Sequence, residues 1–260
     1  LANLQSPISA SITSLGDASG FNGTTAILGG FKNFSTIVGG AGNDSLTGMN
    51  ANGEWRMANG TSGQYFSTTT FNFTGFETLI GGAGNDELLF TNYFATANIT
   101  LLNAGAVDGF DLTEASFNGT FRNINAVVGT SGNDTLNGLN ATSRWKFEVG
   151  SLKLEVGSNT LNFSAIENLI GGSGTDLLDY SALNTAVTVN LGINSASGFT
   201  SVAGMENVTG GSGNDSLTGD AGNNVFTGNG GNDVIVGGAG MDTVNTSGGV
   251  TVNLNLNTVI

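Results

Sequence analysis

Acidic and amide side chains recur every nine residues near the carboxyl end of the sequence, each within a glycine-rich turn. Four consecutive nonapeptides starting at residue 210 run GGSGNDSLT, GDAGNNVFT, GNGGNDVIV and GGAGMDTVN, and their sixth positions are Asp215, Asn224, Asp233 and Asp242. If two nonapeptides form one coil of a stack, equivalent residues of successive coils lie roughly one strand spacing, ~4.8 Å, from each other. Carboxylates that close repel unless a cation lies between them.

The same motif occurs singly further upstream. It begins at residues 39, 81, 129 and 171 and adds four candidate metal ligands: Asp44, Asp86, Asp134 and Asp176. None of the four has a matching unit two nonapeptides away, so the sequence leaves open whether they bind a metal or only close a glycine-rich corner. Glutamate stands nine residues ahead of three of the motif aspartates, at Glu77, Glu167 and Glu206. We interpret these glutamates as acceptors of hydrogen bonds from turn N–H groups.

Calcium is the cation that this pattern favours. The ligands on offer are carboxylates and the carbonyl oxygens of glycine turns, without nitrogen or sulfur, because the chain contains no His and no Cys. Ca²⁺ takes six to eight such oxygens, whereas Mg²⁺ requires a smaller and stricter octahedron. The sequence therefore predicts calcium as the ligand, and it predicts neither catalytic nor organic-cofactor residues.

The elements that position these ligands are short turns and strands. Glycine at the turn positions allows backbone angles with positive φ. Segments such as AVTVNL at 186–191 and VTVNLNLN at 250–257 alternate apolar and polar residues, as half-buried strands do. We found no convincing helical periodicity. The predicted fold class is all-β: a parallel β-roll or β-solenoid built from nonapeptide repeats, with about fourteen coils of two nonapeptides each.

A longer period overlies the nonapeptides. Trp55 and Trp145 are 90 residues apart, as are Asp44 and Asp134, and FKN at 31–33 matches FRN at 121–123. The sequence thus predicts a duplicated block followed by the four consecutive nonapeptides of residues 210–245, which we call the tandem ladder. The predicted parts are an N-terminal cap region, a first and a second solenoid block, and a calcium-binding β-roll with a terminal strand: residues 1–30, 31–120, 121–209 and 210–260.

The charge balance excludes several classes of partner. Six basic residues against twenty acidic ones give a formal net charge of −14. Nucleic acids and anionic membrane surfaces attract basic proteins, so neither is expected as a partner. No apolar run is long enough for insertion into a membrane. The chain opens on Leu1 rather than Met, which indicates a processed or excised piece.

The tandem nonapeptides resemble the hemolysin-type calcium-binding repeats, also called repeats in toxin (RTX). The resemblance is specific over 210–244 and recurs in single copies back to residue 39. It implies a parallel β-roll, calcium between the turns of alternate nonapeptides, and export from a bacterium. It also implies that Asp215 shares an ion with the Asp233 turn and Asn224 with the Asp242 turn. The second site should be weaker, because Asn224 is uncharged.

These observations favour a non-enzymatic, calcium-binding structural protein of a bacterial surface layer, adhesin stalk or filament, located outside the cell. The alternative is the accessory repeat module of a secreted enzyme, of the polysaccharide lyase, epimerase or protease type. Both chain ends, SPISASITSLG at 6–16 and VTVNLNLNTVI at 250–260, are uncharged and strand-forming. Unpaired terminal strands favour pairing with another chain. We therefore expect end-to-end self-association into a filament or layer.

Overall fold

The computed structural model describes residues 5–17, 20–27, 29–92, 96–245 and 249–253. These residues form strands joined by turns, and the part of the chain described contains one 3₁₀ turn, at Leu191–Ile193. Parallel strand pairs extend through both of its compact units, which confirms the predicted all-β roll or solenoid class. The first unit comprises the described residues of 1–134 with 161–165, and the second those of 135–160 with 166–260. The predicted four-part division remains a prediction.

The strands are numbered in chain order. Those of the first unit are β1 Ser9–Leu15, β2 Phe21–Thr25, β3 Gly29–Phe34, β4 Thr36–Val38, β5 Ser45–Thr47, β6 Gly53–Asn59, β7 Ser62–Phe66, β8 Thr70–Thr74, β9 Thr78–Ile80, β10 Asp86–Leu89, β11 Asn98–Ala104, β12 Phe110–Glu114, β13 Thr120–Ile124 and β14 Ala126–Val128.

The remaining strands follow from residue 135, and residues 161–164 of β18 belong to the first unit. They are β15 Thr135–Asn137, β16 Ser143–Glu148, β17 Ser151–Val156, β18 Asn159–Ser164, β19 Asn168–Ile170, β20 Asp176–Asp179, β21 Thr188–Asn190, β22 Ser195–Ala196, β23 Ser201–Ala203, β24 Asn207–Thr209, β25 Ser216–Thr218, β26 Val225–Thr227, β27 Asn232–Val236, β28 Thr243–Asn245 and β29 Gly249–Asn253.

The first unit is a solenoid whose coils are interrupted by three-stranded antiparallel meanders. One of its ladders runs β11-β12-β13-β9-β5-β1-β2-β3, and the other runs β14-β10-β6-β7-β8-β4. Strands β1, β5, β9 and β13 pair in parallel, whereas β1-β2-β3, β6-β7-β8 and β11-β12-β13 are antiparallel. Successive meanders belong to alternate ladders, so strands are added to both ladders as the chain proceeds.

The second unit contains the regular part of the roll. Asn207 pairs with Val225, Ser216 with Val234 and Val225 with Thr243, which is a step of two nonapeptides each time. From β24 onward, successive strands alternate between two ladders, β24-β26-β28 and β25-β27-β29. Each nonapeptide strand sends one apolar side chain inward: Val208, Leu217, Phe226 and Ile235 have no exposed surface.

The prediction of uniform coils of two nonapeptides is wrong upstream of residue 207. Ser9 pairs with Ser45, Ser45 with Thr78 and Thr78 with Thr120, so each step along the chain is roughly double the step in the tandem ladder. The additional residues form the meanders. The nine-residue period does not reveal them, because hairpin strands and coil strands share the same alternation of apolar and polar residues.

The 90-residue duplication is visible in the packing of the hairpins. Trp55 of β6 and Trp145 of β16 are both fully buried. Trp55 lies opposite Tyr65 of β7, with ring centroids 4.7 Å apart, and Trp145 lies opposite Leu154 of β17. The two tryptophans are therefore core residues of equivalent hairpins.

The expectation that residues 6–16 form an unpaired end is wrong. Strand β1 has a neighbour on each side, because β5 pairs with one edge and β2 with the other. One end of each of the first unit's two ladders is formed by β3 and β4, respectively. At the other end of the chain, β28 and β29 are the last strands of their ladders, and residues 254–260 lie outside the described residues.

Candidate metal centre

The structure places all eight predicted ligands at the same kind of position, the end of a turn at or next to the first residue of a strand. Seven of them are buried: Asp44, Asp86, Asp134, Asp176, Asp215, Asn224 and Asp233. Asp242 is half-buried. Carboxylates are rarely buried unless they are paired, hydrogen-bonded or bound to a metal. The motif therefore places carboxylate groups in the interior of the roll at intervals along the chain.

Three motif carboxylates, those of Asp44, Asp134 and Asp215, link their own turn to the preceding coil. Asp215 shows the arrangement: Oδ2 accepts a hydrogen bond from the Gly211 N–H at 2.7 Å, and Oδ1 accepts one from the Val187 N–H at 2.9 Å. Asp44 is held in the same way by the N–H groups of Gly40 and Ile8. The carboxylate thus fixes both the shape of a turn and the stacking of two coils.

In the tandem ladder, the motif residues form the two pairs that the spacing predicts. The Asp215 N–H donates to Oδ1 of Asp233 at 2.9 Å, and the Asn224 N–H donates to Oδ1 of Asp242 at 3.0 Å. The structure therefore brings together Asp215 with Asp233, and Asn224 with Asp242. That each pair binds an ion stays a prediction.

The upstream motifs also have partners, at spacings that the sequence analysis missed. The Asp44 N–H donates to Oε2 of Glu77 at 2.7 Å, and the Asp176 N–H donates to Oε2 of Glu206 at 2.7 Å. These partners lie 33 and 30 residues further along the chain. The interpretation of Glu77 and Glu206 as acceptors of turn N–H bonds is confirmed, but each serves an earlier motif than the one it precedes by nine residues.

Asp86 and Asp134 complete the upstream set. The N–H of Asp86 donates to Oδ1 of Asn125 at 3.0 Å, so a neutral amide occupies the partner position there. Asp134 accepts hydrogen bonds from the N–H groups of Ala97 and Thr130.

A sequence signal for these partners exists. Glu77 precedes the strand TLI and Glu206 precedes NVT, just as Asp215 precedes SLT. In each case an acidic residue stands directly before a three-residue strand with a central apolar side chain. The signal is not tied to a fixed spacing along the chain.

The first glycine of six of the eight motifs lies beside two convergent oxygens. A Cβ built on Gly171 would be 2.0 Å from the carbonyl oxygen of Gly204 and 2.6 Å from Oδ2 of Asp176. At Gly219, the corresponding oxygens are the carbonyl of Gly237 at 1.9 Å and Oδ1 of Asn224 at 2.4 Å. Only glycine leaves this space open. The result is a cradle formed by one motif side chain and one carbonyl of the neighbouring coil.

Several buried carboxylate oxygens have no hydrogen-bond partner among the described residues. They are both oxygens of Asp86, Oδ2 of Asp176, Oδ2 of Asp233 and Oδ1 of Asp108. Burial raises the pKa of Asp86 to about 7, and the charge of Asp108 adds to this effect. Burial also raises the pKa of Asp176 to about 6. These carboxylates are therefore short of the positive charge that would keep them ionised.

This set of donors fits calcium. All the candidate side-chain ligands bind through oxygen, and four unpartnered oxygens belong to motif aspartates. Across the described ranges, three or more Asp or Glu side chains do not gather at one point, so carbonyl groups such as that of Gly204 would supply further ligands. Carbonyls and one or two carboxylates are an established ligand combination for Ca²⁺.

Comparison with known families agrees with the geometry. The family described as the RTX calcium-binding nonapeptide repeat matches four segments of the chain: residues 34–52, 71–89, 123–141 and 204–249. A search of curated proteins gave no match. RTX nonapeptide repeats bind calcium ions, and proteins that carry them are typically secreted. Among the described residues, the structure contains no helix of the length and apolarity needed to cross a membrane.

Proposed function

Because the chain carries RTX calcium-binding nonapeptide repeats, we propose that it is a calcium-stabilised structural element of a bacterial surface layer, adhesin stalk or filament. The observation that carries this proposal is the column of buried motif carboxylates. Asp215 and Asp233 lie on adjacent coils, and Oδ2 of Asp233 is buried without a hydrogen-bond partner. Calcium between the coils would compensate this charge and stabilise the folded roll.

The distribution of cationic side chains supports a structural role over a catalytic one. Five of the six basic residues form ion pairs with carboxylates: Arg56 with Glu54, Arg122 with Asp111, Arg144 with Glu155 and Asp179, and Lys146 and Lys153 with Glu148. A polysaccharide lyase or epimerase requires a base and a charge-neutralising group in one groove. Cationic side chains that are already paired with neighbouring carboxylates neutralise charge on the sheet surface instead.

The calcium role is tested by comparing two aspartates. Asp233→Asn removes a charge from the tandem pair, and Asp134→Asn removes one from a single motif. We expect Asp233→Asn to lower calcium affinity more, as measured by isothermal titration calorimetry of the whole chain. We also expect excess chelator to reduce the far-ultraviolet β signal of the parent. A parent whose spectrum and melting temperature ignore chelator would refute the proposed role.

We further propose that copies associate end to end, through the edge formed by β3 and β4. The 90-residue period maps these strands onto β13 and β14. Inside the first unit, β13 pairs with β9 and β14 pairs with β10. By that precedent, the edge of β3 and β4, which has no partner among the described strands, could pair with two further parallel strands.

The edge also has the chemistry of a contact surface. Phe34 is 54% exposed and Val38 is 40% exposed, and together with Phe31 and Ile37 they line an open apolar cavity of about 630 Å³. Lys32 lies on β3, whereas the chain contains no basic residue after Lys153. A second copy that presents its β28–β29 end would complement this edge in strand pairing, and Asp242, directly before β28, would bring a negative charge to the side of Lys32.

The association is tested with Phe34→Lys, which places a charge on the apolar edge. We expect the parent in calcium to show a molecular mass that rises with concentration in sedimentation velocity, and Phe34→Lys to remain monomeric. Ile193→Lys is the matched control, since Ile193 is 73% exposed and lies away from β3 and β4 in the sequence and in the ladders. A monomeric parent, or association that survives Phe34→Lys, would contradict this mode of assembly.

A further inference from the structure

We propose that Glu206 is a calcium ligand and that, with Asp176, it completes a calcium site outside the tandem nonapeptide ladder. The inference rests on the calcium-binding role proposed above. It extends that role to a turn, residues 171–176, that lies outside the four segments matched by the RTX repeat family.

Glu206 occupies the position that Asp233 occupies in the tandem ladder. Its Oε2 accepts the N–H of Asp176 at 2.7 Å, as Oδ1 of Asp233 accepts the N–H of Asp215 at 2.9 Å. The strands that follow also pair in the same way: β20 pairs in parallel with β24, and β25 pairs in parallel with β27. The longer glutamate side chain thus delivers a carboxylate to the same place in the stack.

The Asp176 side of the site has an oxygen available for an ion. Asp176 is completely buried, its Oδ1 accepts a hydrogen bond from the Ser143 hydroxyl, and its Oδ2 has no hydrogen-bond partner. Oδ2 and the carbonyl oxygen of Gly204 converge on the open space beside Gly171. This cradle and the Glu206 carboxylate provide hard oxygen ligands from two adjacent coils.

A hydrogen-bonding role alone does not account for a carboxylate at this position. Asn125 performs the same role for Asp86 with a neutral amide. Glutamate instead adds a second negative charge near the buried Asp176 carboxylate, whose Oδ2 has no hydrogen-bond partner. Two like charges that close favour a shared cation.

Glu206 also connects this site to the tandem ladder. The side-chain amide of Asn224 donates to the backbone oxygen of Glu206 at 2.9 Å, and the N–H of Asn224 donates to Asp242. Asp176, Glu206, Asn224 and Asp242 therefore form one continuous column. In this column, the Asp176–Glu206 pair contains two carboxylates. The Asn224–Asp242 pair contains only one.

The deciding variant is Glu206→Gln, because glutamine can still accept the Asp176 N–H but carries no charge. We expect calorimetric titration of the whole chain to show one calcium ion fewer per molecule, or at least a tenfold weaker site. In chelator, the melting temperature should match or exceed that of the parent, because a repulsion has been removed. Glu155→Gln, at an ion-paired surface glutamate, is the control and should bind like the parent.

A second variant keeps the proposal falsifiable if folding is affected. Asp176→Asn should remove the same ion, and the double variant should lose no more calcium than either single variant. Unchanged stoichiometry and affinity in Glu206→Gln would overturn the assignment, as would separate, additive losses from the two positions. If that happened while Asp233→Asn still lost affinity, the calcium role of the ladder would stand without Glu206. A parent that binds no calcium would overturn both proposals.

Discussion

At the scale of single residues, the motif aspartate has two incompatible tendencies. Its oxygens accept N–H groups that hold a turn and two coils together, as Asp215 does with Gly211 and Val187. Yet the same burial removes water from a charge, and Asp86 has no hydrogen bond to offset that loss. A buried carboxylate without a partner favours the protonated state. Proton and calcium therefore compete for the same role at such a site.

This competition predicts the behaviour of Asp86→Asn in chelator. The pKa of Asp86 is raised to about 7 in the folded protein, above its ordinary value of 3.8, so its favourable contribution to folding is complete at low pH and is lost as the pH rises through about 7. We expect the melting temperature of Asp86→Asn to exceed that of the parent by several degrees more at pH 8 than at pH 5. Thermal melts at both pH values measure this.

Calcium should reverse the order at pH 8, since the parent then has a ligand that the variant lacks. The control is Asp17→Asn, which removes one exposed carboxylate outside the motif turns. A variant that melts below the parent in chelator at pH 8 would show that the ionised carboxylate stabilises the site without calcium.

The sequence was sufficient to pair the motif residues of the tandem ladder but not to find the partners of the upstream motifs. A step of two nonapeptides holds from Asn207 onward, so Asp215 and Asp233 could be paired by counting. Glu77 could not be assigned to Asp44, because the length of the intervening β6-β7-β8 meander sets the spacing between them. Hairpin length depends on tertiary pairing, which a local repeat pattern does not encode.

At the scale of elements, two kinds of strand differ in what stabilises them. The meander strands carry aromatic side chains in contact, such as Trp55 with Tyr65 and Phe73, with ring centroids 4.7 and 5.7 Å apart. The nonapeptide strands β25 and β26 are three residues long, and each buries one apolar side chain, Leu217 and Phe226 respectively. Burial of a single side chain contributes about 1.5–3 kcal/mol, close to the entropy cost of ordering one or two residues. The nonapeptide strands therefore need calcium more than the meanders do.

Hydrogen–deuterium exchange should separate the two kinds of element. In chelator, we expect the amides of residues 216–245 to exchange at least tenfold faster than in calcium, because the cradle oxygens repel one another without the ion. The amides of β6, β7 and β8 should change far less. Equal acceleration in both regions would mean that the meanders and the ladder unfold as one cooperative unit.

At the scale of the whole molecule, the charge is unusual for its size. Some of the carboxylates behind the net charge of −14 are buried, so solvent does not screen their charge. Others lie at the surface and are paired with the few cationic side chains. Added salt screens exposed charges, but buried ones are screened much less. We therefore expect an ion bound within the turns to stabilise the chain more than screening by added salt does.

This difference predicts an ion-specific response. At equal ionic strength, millimolar CaCl₂ should raise the melting temperature by ten degrees or more, whereas NaCl should raise it by only a few degrees. MgCl₂ should fall between them, since Mg²⁺ releases its water reluctantly and fits a flexible oxygen cradle poorly. Differential scanning fluorimetry of the parent measures all three. Equal shifts from the three salts would indicate screening rather than site binding.

The hairpin turns of the meanders have a consequence for how this chain can vary in length. Gly60 and Gly150 occupy equivalent β-hairpin tips in the two copies of the duplicated block, both have positive φ, and a Cβ built at either would meet no atom within 4 Å. Neither tip belongs to a motif turn, and exposed tips are where inserted segments are best tolerated. An epitope, an enzyme or an additional loop could therefore be displayed from either tip without changing the register of the carboxylate columns. The meanders thus provide attachment points on a scaffold whose metal sites stay fixed.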